Sequence, residues 1–219
     1  MNPFLIYCYD AYCGWCYGFS PVIRRIVGEF RGRLPVEVLS GGMIIGERPL
    51  SIRQSAGYIR NAYKKVEEFT GIRFGADYLW HVFHPEESDW FLYSEKPAIA
   101  LCIFRESHPD SQVDFAADLQ YAHHFEGRDL CDDEAYRPLL EKYLIPAGSF
   151  YQKLHDPVYK EKAHYEFALV KQLQVTGFPA LLLQENENRF YLVSSGYTDY
   201  ETLKTRIDRL LGELSHTVI

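Results

Sequence analysis

The stretch from Phe4 to Phe30, FLIYCYDAYCGWCYGFSPVIRRIVGEF, constrains the fold more than any other part of the chain. It reads as an apolar strand, a short turn carrying Cys13-Gly14-Trp15-Cys16, and an amphipathic helix that starts at the cysteines. A thiol at the first turn of a helix faces the positive end of the backbone dipoles, which favours an ionised, nucleophilic sulfur. A second thiol one turn on is near enough to close a disulfide and release whatever the first has attacked. The spacing alone is weak evidence, because five cysteines in 219 residues place some pair at this offset in roughly 0.1 of such chains by chance. The order strand, CxxC, helix is what gives the pair its redox reading. A zinc site would need a second pair or histidines at ligand spacing. Cys8, Cys102 and Cys131 stand singly, and the adjacent His123 and His124 project to different sides of a helix. No metal is therefore expected.

Length suggests one core domain with a sizeable insertion. The net charge of −7 and a pI near 5.6 leave no basic stripe to neutralise phosphates, which argues against a nucleic-acid partner. No run of about 18 apolar residues could span a bilayer. The N-terminus has no cationic leader, and its apolar run ends at Asp10, so the chain as given is read as cytoplasmic. In that compartment thiols stay reduced, and a cysteine pair is catalytic more often than structural.

After the first helix, Pro35–Ser40 alternates like a strand and ends at Gly41-Gly42, completing a parallel strand-helix-strand unit. From about Leu50 to Tyr165 strands give way to helical segments. These run over Ser51–Thr70, from an N-cap at Ser94 to His108-Pro109, over Ser111–Phe125, and over Asp133–Tyr143. Within them Cys102 shares an apolar face with Ala98, Ile99 and Ile103, and Cys131 lies among Asp129, Asp132 and Asp133, which oppose a thiolate. Neither is assigned chemistry, and mid-strand Cys8 is read as core. Asp156-Pro157 then caps a helix to Leu173, followed by Val175-Thr176-Gly177-Phe178-Pro179. A hairpin of Ala180–Gln184 and Arg189–Ser194 comes next, and a last helix, Tyr200–Leu214, is capped at Thr198-Asp199. The expected domains are 1–49 with 156–219, discontinuous, and an inserted helical domain over 50–155.

With these motifs in place, Asp10-Ala11-Tyr12-Cys13-Gly14-Trp15-Cys16-Tyr17-Gly18-Phe19 and Val175–Ala180, the chain resembles the DsbA-like thioredoxin family, in particular its signal-less FrnE-like branch. The resemblance implies an α/β thioredoxin fold with a large inserted all-helical subdomain. It further implies Cys13 as attacking thiolate, Cys16 as the more buried resolving partner, and Gly14 and Trp15 as the turn that sets their geometry. Phe178 and Pro179 would form a substrate platform around a cis peptide bond, where an extended partner pairs with the backbone. Most members of this branch carry proline or methionine between the aspartate and the cysteines, whereas Ala11-Tyr12 stands here. No acidic residue is assigned as proton acceptor for Cys16, and the direction of the Asp10 side chain is left open.

The function so implied is thiol-disulfide exchange with a thiol- or disulfide-containing protein or peptide. No cofactor is required, glutathione being the small molecule that could enter as reductant or co-substrate. Two other readings stand beside it. Relatives of the kappa-class glutathione transferase and hydroxychromene carboxylate isomerase type bind glutathione at the equivalent helix terminus but keep a single serine or cysteine there. A non-enzymatic adaptor would use the cysteines as a redox sensor and a surface around Trp80 and Trp90-Phe91-Leu92-Tyr93 for docking, although a core-forming loop is the alternative role of that cluster.

Overall fold

The computed structural model describes residues 3–216. Strand β1 (Phe4–Tyr9) leads through the cysteine turn into helix α1 (Gly14–Glu29), and β2 (Val36–Ser40) returns beside β1 in parallel. A short pair follows, β3 (Leu50–Ser51) with β4 (Phe91–Leu92), enclosing α2 (Ile52–Thr70) and α3 (Ala76–Phe83). Then come α4 (Glu95–Ser107), α5 (Gln112–His124), α6 (Arg137–Lys142), α7 (Ala147–Leu154) and the long α8 (Pro157–Gln172). The chain closes with the hairpin β5 (Ala180–Asn186) and β6 (Arg189–Ser195) and helix α9 (Tyr200–His216). The main sheet has the order β2-β1-β5-β6, with β5 antiparallel to β1. This is the α/β thioredoxin fold with a helical insertion.

The two faces of the sheet bury different sets, as period-2 alternation requires. Leu5, Tyr7, Val38, Leu181, Leu183 and Val193 pack with Phe19, Ile23 and Ile26 of α1 and Leu203 and Ile207 of α9. Ile6, Cys8, Leu39, Ala180 and Leu182 pack instead with Val170 of α8. A further cluster within the insertion joins Ile52, Val66, Phe74, Tyr78, Val82 and Trp90 to Tyr17 of α1.

Helix ends follow local chemistry. Asp156 accepts from Val158 N to start α8, and Asp199 accepts from Thr202 N to start α9. Gly71 takes a left-handed φ of 76° to end α2, a conformation glycine adopts without a Cβ penalty. Pro21 sits inside α1 and removes the N–H that the Tyr17 carbonyl would bond; the Ser20 hydroxyl donates to that carbonyl at 2.8 Å instead.

Strand β2 is a sheet edge, yet its outward backbone groups are satisfied by side chains. Gln112 Oε1 accepts from Val38 N at 2.8 Å, Glu166 Oε2 accepts from Ser40 N at 2.9 Å, and the Arg105 guanidinium donates to the Val38 carbonyl. Arg105 and Glu166 also pair with each other at 2.7 Å, with Glu166 buried. Helices α4 and α5 of the insertion, with α8, thereby seal an edge that would otherwise recruit another strand.

Several sequence expectations are corrected here. Strands do not vanish after Leu50, because the β3–β4 pair forms, too short for period-2 patterning to register. The helices α3 and α7, each 8 residues, were not anticipated for the same reason. The segments at Ser111 and Asp133 each open with a 3-10 turn before the α-helix begins. Ser94 precedes α4 as expected, but its hydroxyl makes no cap bond; it accepts from Ile44 N at 3.0 Å. In the aromatic stretch, Trp90 and Leu92 are core, while Trp80 and Phe91 are exposed.

Candidate functional site

The cysteine turn is built by backbone bonds from the residues just before it. Cys13 N donates to the Asp10 carbonyl at 3.1 Å, and Asp10 Oδ1 accepts from Tyr12 N at 3.0 Å. Asp10 Oδ2 accepts from Met43 N at 2.8 Å, tying the turn to the loop after β2. The Asp10 carboxylate is thus spent on backbone donors. Burial nonetheless raises its pKa, partly offset by those donors.

Cys13 is the N-cap of α1, with extended φ and ψ of −80° and 108°. Its sulfur accepts from Cys16 N at 3.2 Å, so the capping position that a serine or aspartate oxygen usually fills is held by sulfur. Cys16 is fully buried one turn on, and burial, then the hydrogen bond and charge of Cys13, push its thiol well up. Gly14 and Trp15 span the gap between them. Trp15 is half-buried, its ring centroid 6.1 Å from Phe69 of α2 and 6.5 Å from Tyr197, so the insertion and the loop after β6 both border the turn.

Across from Cys13 the Phe178–Pro179 peptide bond is cis. The Phe178 carbonyl lies 3.6 Å from Cys13 Sγ, and Pro179 O accepts from Gly196 N at 2.7 Å, which holds the segment against the β6 end. The Phe178 ring rests on Gly41, where a Cβ would fall 2.0 Å from Phe178 Cζ. Gly41, directly after β2, is therefore required for ring and backbone to approach. Cys13, Cys16, Gly14, Trp15, Phe178 and Pro179 converge on one site although more than 160 residues separate its two halves.

Three cysteines stand apart. Burial raises Cys8 to about 12 and Cys131 to about 11, and raises Cys102, which donates to Glu166 Oε1 at 3.4 Å. Cys131 Sγ is 3.6 Å from the Tyr12 hydroxyl. Among the described residues no group of three or more histidine, cysteine or acidic side chains is placed to hold a metal ion.

A support that sequence reasoning missed comes from α5. Gln120 Nε2 donates to the Asp10 carbonyl at 3.2 Å, and His124 stacks on Tyr17, the residue after Cys16, at 5.0 Å and 7°. Tyr12 meets His123 edge-on at 4.8 Å. Both histidines are buried, and both Nδ1 atoms face carbonyl oxygens, of Arg128 for His123 and of Gln120 for His124, so those nitrogens carry the proton. The i, i+4 spacing of Gln120 and His124 is the available signal; the sequence alone weighs His123 and His124 only as metal ligands.

The family model for the DSBA-like thioredoxin domain matches residues 5–208. This chain belongs to that family. The match takes in both halves of the site and the helices between them. Among solved structures, a candidate protein disulfide isomerase from Nitrosomonas europaea is 25% identical, with a TM-score of 0.83 over 97% of this chain and 99% of that one. The cytosolic disulfide reductase DsbM from Pseudomonas aeruginosa is 24% identical, with a TM-score of 0.75 over 94% and 98%. A 2-hydroxychromene-2-carboxylate isomerase is similar in fold, at 13% identity and a TM-score of 0.66 over 99% and 100%. A comparison with curated protein sequences yields no match. The DSBA-like chain has no helix among its described residues that is long and apolar enough to cross a membrane.

Proposed function

We propose that this member of the DSBA-like family is a thiol-disulfide oxidoreductase in which Cys13 attacks and Cys16 resolves. The observation that carries the reading is the placement of the Cys13 sulfur. It lies at a helix N-cap within 3.2 Å of the Cys16 N–H and 3.6 Å from the carbonyl just before Pro179. In the first step the Cys13 thiolate attacks a disulfide R–S–S–R′, forming Cys13–S–S–R and releasing R′–S⁻. In the second, Cys16 displaces R as its thiol, leaving the Cys13–Cys16 disulfide. The Phe178 backbone beside the sulfur suits an extended thiol- or disulfide-bearing peptide laid against it. Gly14 and Trp15 shape the turn, and residues 1–49 with 156–219 supply the chemistry while 50–155 border it.

The net direction is reduction or isomerisation in a cytosolic setting, where a glutathione poise of about −220 to −320 mV keeps an oxidising couple mostly reduced. Similarity to a cytosolic reductase, one form of which was solved with glutathione, supports glutathione as the recycling thiol. The test is a Cys16→Ala variant incubated with cell extract and with a model peptide disulfide. A mixed disulfide through Cys13 is expected, and in the unaltered chain mild oxidant should join Cys13 to Cys16. Failure of both bonds to form refutes the reading.

A further inference from the structure

The buried cluster that holds both thiols also contains a polar group with no hydrogen-bond partner among the described residues. Tyr7 lies at the middle of β1, opposite Val38 of β2 and Leu181 of β5. Its side chain is on the sheet face that α1 covers, in one buried cluster with Cys13, Cys16 and Phe19. The ring centroid is 5.8 Å from that of Phe19, which follows Cys16 by one helical turn on the same side of α1. Tyr7 is 1% exposed, and its hydroxyl has no hydrogen-bond partner among the described residues. An unbonded buried hydroxyl is destabilising, and phenylalanine would pack the same ring without that cost.

The surroundings narrow what the hydroxyl can serve. After burial, the charges that act on it most are Cys16 and then Cys13, ahead of Tyr9 and Cys8. All of these push its pKa well up, so it remains an O–H donor and is no base. Asp10, the nearest carboxylate in sequence to the turn, is bonded to Tyr12 N and Met43 N. Cys16 itself is enclosed, and burial is the largest influence opposing its thiolate. The Asp10 backbone hydrogen bond acts the other way, and a buried anion gains from each further donor, because a hydrogen bond to a charged group is stronger than one between neutral groups.

We propose that the Tyr7 hydroxyl donates a hydrogen bond to the Cys16 sulfur as that sulfur becomes a thiolate in the resolving step. This rests on the thiol-disulfide reading above. The step is Cys13–S–S–R + Cys16–SH → Cys13–S–S–Cys16 + R–SH. The Cys13–R sulfur bond breaks as the Cys13–Cys16 bond forms, the two protein sulfurs become a disulfide, and the substrate sulfur is reduced. That sulfur takes the electron pair and finally the proton given up by Cys16. Tyr7 neither gains nor loses a proton; it stabilises the charge on Cys16 before the attack.

The test uses the full chain with oxidised glutathione as the probe. Mixed-disulfide formation in a Cys16→Ala background reads the attack by Cys13, and release of the second glutathione, the one held on Cys13, with both thiols present reads resolution by Cys16, across pH 6 to 10. Tyr7→Phe is expected to slow resolution about tenfold near pH 7 and to move its pH profile up by about one unit, with the attack step changed less than about twofold. Its thermal midpoint should not fall, since the ring remains and an unbonded hydroxyl is lost. Replacing Tyr7 with 3-fluorotyrosine, which keeps ring and donor, should restore the resolving rate. Equal resolving rates and pH profiles for Tyr7→Phe and the unaltered chain overturn the proposal, as does equal slowing of both steps. If the unaltered chain forms no mixed disulfide with glutathione and no Cys13–Cys16 disulfide, the thiol-disulfide reading itself fails, a result visible without any Tyr7 variant.

Discussion

Acid should destabilise this protein through His124, and the size of the effect follows from its surroundings. The ring is fully enclosed on α5, stacked on Tyr17, with Nδ1–H donating to the Gln120 carbonyl at 3.0 Å and Nε2 without a partner among the described residues. Burial lowers its pKa from 6.5 to about 4. An unfolded chain would protonate this histidine near 6.5, so between those values the unfolded state binds the additional proton. The stability contributed by neutral His124 is therefore complete above about pH 6.5 and is lost as pH falls toward 4. A difference of roughly 2.5 units at 1.36 kcal/mol each amounts to about 3 kcal/mol, of which about 2.5 is already lost at pH 4.5. His123, lowered by burial and by His124, acts in the same direction. Asp10, whose pKa is raised, acts in the opposite one. Glu106, held at about 2 by Lys153 and Lys162, loses its contribution only below about pH 4.5.

Comparison with His124→Phe isolates the titration, because the loss of the Gln120 bond and the change of ring are the same at every pH and only the protonation differs. Urea midpoints at pH 7.5 and pH 4.5 would give the unfolding free energies of both proteins. The unaltered chain should lose about 2.5 kcal/mol more than the variant between the two pH values. A gap between the two proteins that is the same at both pH values would refute the reasoning, and with it the neutral, buried state of His124 behind the cysteine turn.

Two other substitutions probe the frame of the site. Gly41→Ala places a Cβ 2.0 Å from Phe178 Cζ, so the ring and the carbonyl beside Cys13 must move; exchange with a peptide disulfide should slow about tenfold or more in a stopped-flow assay, with Cys13 and Cys16 unchanged. Arg105→Met strips Glu166 of its partner and frees the Val38 carbonyl at the β2 edge. It should cost about 2–4 kcal/mol by urea unfolding, toward the lower end because Arg105 is 23% exposed, and Glu166→Gln in the same chain should restore part of the loss.

What local chemistry could specify was readable directly. Apolar runs marked β1 and β5, alternation marked β2, the Asp156-Pro157 start marked α8, and apolar residues at helical spacing behind Thr198-Asp199 marked α9. The cysteine turn announced itself by position, since a strand ending at Tyr9 and a helix beginning at Gly14 leave four residues to make the bend. The short elements β3, β4, α3 and α7 escaped because two to eight residues hold too few repeats of either period to stand out.

The side-chain partners around the thiols belong to a different level. That Cys13 and Cys16 form the turn follows from adjacent residues, but the Phe178 carbonyl beside Cys13 is brought there by β1–β5 pairing. Asp10 was a candidate neighbour of Cys16 by sequence; the loop after β2 supplies Met43 N and claims the carboxylate. His123 and His124 entered the sequence reading only as metal ligands, and with Gln120 they are interior because α5 packs across α1 and behind the turn. Tyr7 was one aromatic among many in an apolar strand, and its unbonded hydroxyl is a property of what α1 encloses. The sequence by itself determined the order of elements and the two thiols, because those depend on contacts a few residues apart. Only the tertiary structure decided which distant donors, carbonyls and rings meet the sulfurs, because hydrogen bonding and burial are settled by what packs on the other side.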